Sequence, residues 1–95
     1  MIHILATITA QPGAATAVRD ALVELAGQSR QEAGCVSYEL YQRADDPARF
    51  QTVEAWRDGG AAEAHMGTPH VGAALAKVGS LLAAAPDIVR YDKLG

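Results

Sequence analysis

The chain has 95 residues, of which 49% are hydrophobic and 20% charged; this excludes a disordered or fibrous polymer and predicts one globular domain over residues 1–95. Eight Lys and Arg against 11 Asp and Glu leave a net charge of −3 with no basic stripe, so neither nucleic acid nor an anionic membrane surface is an expected partner. Cys35 is the single cysteine, which rules out an intrachain disulfide or a Cys-based zinc site, and the opening Met1-Ile-His-Ile-Leu lacks a basic run, so a cytoplasmic protein is expected.

Residues 2–10, IHILATITA, alternate Ile2, Ile4, Ala6 and Ile8 with His3, Leu5, Thr7 and Thr9, which predicts a strand with one strongly apolar face. Pro12-Gly13 ends it. From Ala14 to about Gln31, the residues Ala14, Val18, Ala21, Leu22, Leu25 and Ala26 recur at helical spacing, and Gly34 is the expected stop. Cys35–Arg43 and Phe50–Arg57 are rich in aromatic and β-branched residues around the turn residues Ala44-Asp45-Asp46-Pro47, a hairpin.

Asp58 is the expected N-cap for a short helix to about Met66, ended by Gly67, although Gly59 and Gly60 each weaken it by about 1 kcal/mol relative to Ala. Thr68 then caps a further helix with Pro69 in its first turn, and Val71, Ala74, Leu75, Val78 and Leu82 form its apolar stripe. After Pro86, Asp87–Lys93 reads as the last strand. With right-handed crossovers this order is an α+β, ferredoxin-like βαββαβ fold, an antiparallel sheet with helices on one face. Apolar residues on both sides of the strands, Leu5, Val53 and Ile88 against Ile4, Phe50 and Val89, leave the other face in need of a cover. Sheet-to-sheet homodimerisation supplies one.

Residues 54–70, EAWRDGGAAEAHMGTPH, concentrate the candidate chemistry. Glu54 and Trp56 are two apart on a strand and share a face, and His65 follows on a helix that packs back over the sheet. An imidazole titrates near neutral pH, and a half-buried carboxylate can be tuned there, so His65 and Glu54 are candidate general bases. The bland alternatives are a core Trp56, a solvated Glu54 and a His70 that only supports its helix start. His65 and His70 lie five apart, about 140° round a helix even without the break at Gly67–Pro69, so no metal site is expected. Neither GxGxxG nor GxxxxGK[ST] occurs, and Cys35 and Ser37 lie in no nucleophile motif.

Glu32-Ala33-Gly34-Cys35 with Tyr38, Asp46-Pro47, Phe50, Glu54-Ala55-Trp56 and His65-Met66-Gly67-Thr68-Pro69-His70 together resemble the antibiotic biosynthesis monooxygenase domain family over nearly the whole chain. The resemblance implies a dimeric α+β barrel and cofactor-independent oxygenation of electron-rich hydroxylated aromatics, notably quinols. Deprotonating a quinol gives an anion able to donate an electron to O₂, so the protein need supply only a base and a dry, shaped pocket. On that reading His65 and Glu54 are catalytic, Trp56, Tyr38 and His70 bind a small hydrophobic aromatic substrate, and no cofactor or metal is required.

Haem-degrading relatives use an Asn, Trp and His set, whereas this chain contains no asparagine. A second branch, similar to the isomerase of phosphorylated autoinducer-2, shares Glu54-Ala55, His65 and Thr68-Pro69-His70. A non-catalytic dimeric module that binds a hydrophobic small molecule is the third alternative. Hairpin register decides whether Tyr38 or Ser37 faces Glu54, because a one-residue slip inverts every side chain.

Overall fold

The computed structural model describes residues 1–95. In chain order the elements are β1 (Ile2–Thr9), α1 (Ala15–Ser29), β2 (Cys35–Gln42), β3 (Arg49–Trp56), α2 (Gly59–Met66), α3 (Pro69–Val78), a 3-10 turn (Gly79–Leu81) and β4 (Asp87–Tyr91). The strands form one antiparallel sheet in the order β2-β3-β1-β4, the ferredoxin-like topology expected from the sequence.

Alternation places Ile4, Ala6 and Ile8 of β1, and Phe50, Thr52, Glu54 and Trp56 of β3, on the face that the helices cover. Their partners are in register, Ala6 opposite Thr52 and Ile8 opposite Phe50. The pairing of β4 corrects one expectation: Ile88 stands opposite Ala6 and Val89 opposite Leu5. Ile88 therefore belongs to the helix-covered face, and Val89 joins Leu5 and Val53 on the open one. Val53 and Val89 are 40% and 38% exposed there. A short strand read in isolation carries no register, so only pairing with β1 assigns its faces.

The main core joins Ile8 and Phe50 of the sheet to Val18, Leu22 and Leu25 of α1 and Val71, Ala74 and Val78 of α3. A smaller cluster gathers Ala26, Tyr38, Trp56 and Ala62 at the α2 end. Helix α1 stops at Ser29, earlier than the expected Gln31, and a run of tight turns leads to β2 through the bonds Gln31 N to Gln28 O, Glu32 N to Ser29 O and Cys35 N to Glu32 O. Gly34 does not cap that helix. It lets the turn touch α2: a Cβ built on Gly34 would lie 2.3 Å from Ala61 Cβ.

The expected cap on α2 is present, with Asp58 Oδ1 accepting from Ala61 N at 2.8 Å. That hydrogen bond holds the Asp58 carboxyl below its ordinary pKa, because it is made to the charged form. Thr68 occupies the N-cap position of α3 but does not cap with its side chain; its hydroxyl instead donates back to His65 O at 2.7 Å. The chain thereby turns sharply between α2 and α3, and the last turn of one helix lies beside the first turn of the next.

Candidate active site

Between the helices and the covered sheet face lies a cavity of about 260 Å³ lined by 17 residues, 13 of them hydrophobic. Ile4, Ala6 and Ile8 form its floor, and Leu22, Leu25, Val71, Ala74 and Val78 its helical wall. Met66, Leu75 and Ile88 line it yet are each nearly half exposed, which places the mouth between the α2–α3 side and β4. The polar lining is Tyr38, Thr52, Glu54 and His65, and no Lys or Arg contributes.

These four polar residues come from β2, β3 and α2, and strand register brings them together. Tyr38 is paired with Glu54, beyond an irregularity between Cys35 and Ser37 that sets which side chains turn inward. Tyr38 therefore faces Glu54 and the cavity, while Ser37 lies on the opposite sheet face. Glu54 is 5% exposed and held from both sides: its Oε2 accepts from Thr52 Oγ1 at 2.6 Å and its Oε1 from Trp56 Nε1 at 3.1 Å. Each carboxyl oxygen is thus occupied by one side-chain donor. In the sequence Thr52 is a lone strand threonine, which carries no functional signal. Its hydroxyl also accepts from Ala6 N at 3.1 Å, which aims it at Glu54.

Burial pushes the Tyr38 phenol well above its ordinary pKa, with the Glu54 carboxylate as the next cause. Tyr38 thus remains a neutral hydrogen-bond donor. Burial also raises the Cys35 thiol, reinforced by the Glu32 and Glu54 carboxylates, and a protonated thiol is a poor nucleophile.

His65 is 5% exposed and its ring lies 4.5 Å from that of Trp56 and 5.7 Å from that of Tyr38, centroid to centroid. Trp56 is fully buried and does not line the cavity. Its position beneath His65 and its bond to Glu54 make it a support for both, so the indole expected to bind substrate is separated from the cavity by the groups it holds. His70 likewise lies outside the cavity lining and borders a small groove between α1 and α3.

The two histidines, separated in sequence by a helix break, converge on one acceptor. Glu32 Oε2 lies 2.6 Å from His65 Nδ1 and 2.8 Å from His70 Nε2. The break is what permits this: His65 ends α2, His70 begins α3, and both ends face the turn that carries Glu32. The ligand atoms of the three residues lie within 4.8 Å of one another, close enough for the group to hold a metal ion. The short contacts are hydrogen bonds to a shared oxygen. In the sequence only the family resemblance marks Glu32, since nothing in a loop carboxylate predicts two histidines reaching it from elsewhere.

Residues 1–77 match the sequence model of the family described as Antibiotic biosynthesis monooxygenase. The chain is 35% identical over 81 residues to the Mycobacterium tuberculosis protein Rv0793, covering 85% of this chain and 79% of that one. It is 31% identical over 92 residues to Bacillus subtilis YcnE, covering 97% of each; both relatives bear provisional monooxygenase names. Among solved structures, PA3566 of Pseudomonas aeruginosa superposes with a TM-score of 0.92 at 37% identity, covering 99% of this chain and 94% of that one. Matched over most of its length in sequence and nearly all of it in fold, the chain belongs to the antibiotic biosynthesis monooxygenase family.

Proposed function

We propose that this protein is a cofactor-independent cytoplasmic monooxygenase that oxidises quinol-type or other electron-rich hydroxylated aromatic substrates with O₂. The observation that carries the reading is the cavity itself: an almost wholly apolar chamber whose polar groups, Tyr38, Thr52, Glu54 and His65, are gathered together. Such a chamber suits a flat apolar ring with hydroxyls at one end. His65 removes a hydroxyl proton, Glu54 accepts a hydrogen bond from a second hydroxyl, and Tyr38 donates one to the oxygen that has lost its proton. The resulting anion is the electron donor to O₂, and the apolar walls exclude water from it. Trp56 and His70 act from behind these groups.

An isomerase of a phosphorylated sugar-like signal is less well supported, because no Lys or Arg lines the cavity to meet a phosphate. We further propose that the working form is a homodimer joined through the open sheet face. The test is oxygen uptake coupled to quinol loss over a small quinol panel. Uptake above the autoxidation rate that is abolished by His65→Ala supports the proposal, and equal rates with and without protein overturn it. Turnover that continues unchanged in an anaerobic chamber would identify the isomerase instead, and tight quinol binding without turnover a binding module.

A further inference from the structure

The Glu32 carboxylate pairs within 4.0 Å with the two imidazoles described above and with no other charged group, and its side chain is 15% exposed. An ionised carboxylate only accepts hydrogen bonds, so each ring nitrogen that faces it carries a proton. For His65 that nitrogen is Nδ1. In the neutral ring the other nitrogen, Nε2, must then hold the free lone pair. No protein group bonds to Nε2, and His65 lines the cavity. The α2 backbone is pinned at the same residue by the bond from Thr68 to His65 O, and the ring is backed by Trp56.

We infer that Glu32 is a positioning residue for His65: it fixes the Nδ1–H tautomer, so that Nε2 is presented to the cavity as the base, and it stabilises the imidazolium formed when that base is protonated. His70 completes the device by donating its own Nε2–H to the same oxygen, which keeps the carboxylate oriented after His65 changes charge. The step balances simply. The substrate O–H bond breaks, its electron pair stays on oxygen, and a new N–H bond forms at His65 Nε2. The same logic, a buried carboxylate holding the far side of an imidazole base, governs hydrolase triads. Here one carboxylate serves two imidazoles. The catalytic consequence rests on the oxygenase reading above, whereas the tautomer does not.

Nitrogen-15 NMR of the histidine rings in the substrate-free protein tests the tautomer directly. At a pH where His65 is neutral, its Nδ1 is expected to give the signal of a protonated nitrogen and its Nε2 that of an unprotonated one. In Glu32→Ala the population is expected to shift toward Nε2–H. Glu32→Gln retains an acceptor without the charge, so it covers the case in which Glu32→Ala fails to fold; there the Nδ1–H form is expected to persist while kcat falls about 10- to 100-fold with KM unchanged. His70→Phe is expected to leave the His65 tautomer in place.

A proton on His65 Nε2 in the unsubstituted protein, or a tautomer indifferent to Glu32→Ala, overturns the inference. So does stoichiometric Zn²⁺ uptake lost in both Glu32→Ala and His70→Phe, which would make the cluster a metal site. If the tautomer behaves as expected and no quinol is turned over, the oxygenase reading fails and the positioning role stands.

Discussion

At the scale of single residues the site depends on groups whose ionisation the fold controls. Tyr38 gives a measurable example. Its folded pKa is raised by burial and by Glu54, while in the unfolded chain it is near 10. The neutral phenol's contribution to stability is therefore fully present below about pH 10 and is lost as pH rises toward the folded value. Stability should fall by about 1.4 kcal/mol per pH unit in that window. Urea titrations between pH 9 and 12 are expected to show this decline in the unsubstituted protein and a shallower one in Tyr38→Phe. An equal decline in both would place the alkaline sensitivity elsewhere.

At the scale of elements, the contact between the α1–β2 turn and α2 sets how Glu32 meets His65. Gly34 allows it, since a Cβ there would fall 2.3 Å from Ala61 Cβ, a distance that forces the turn and the helix apart. Gly34→Ala is expected to cost about 1–3 kcal/mol as an overpacking substitution and to weaken the Glu32–His65 bond. The double variant Gly34→Ala/Ala61→Gly removes the clash and should regain part of that loss, less about 1 kcal/mol for a glycine in a helix. Thermal melts of the two variants check this. The Gly59-Gly60 start of α2 is weak in propensity, and the Asp58 cap and packing of Ala62 and His65 offset it.

At the scale of the whole molecule, the sheet has one face covered by helices and one carrying Leu5, Val53, Val89 and Tyr91 without a cover; Tyr91 is 51% exposed. A chain of this size buries only about 60–65% of its unfolded surface, so covering that face adds stability that the monomer cannot supply. On the dimer proposal, Val53→Asp places a charge in the centre of the interface. Sedimentation velocity is expected to give a dimer for the unsubstituted chain and a monomer for the variant. A monomer in both would end the proposal.

The sequence by itself determined the element order and the ferredoxin-like class, because periodicity, turn residues and caps are local and each element carries its own. It also picked out Glu54 and His65, which line the cavity, through strand alternation and the family's motif spacing, and left Tyr38 dependent on a hairpin register that only the folded pairing supplies. Tertiary structure alone decided which face Ile88 occupies, that Trp56 supports the cavity from behind, and that Thr52 ties Glu54 to β1. It alone brought Glu32, His65 and His70 to one oxygen. Register and the approach of a loop to two helix ends are relations between distant segments, and no local pattern along the chain encodes them.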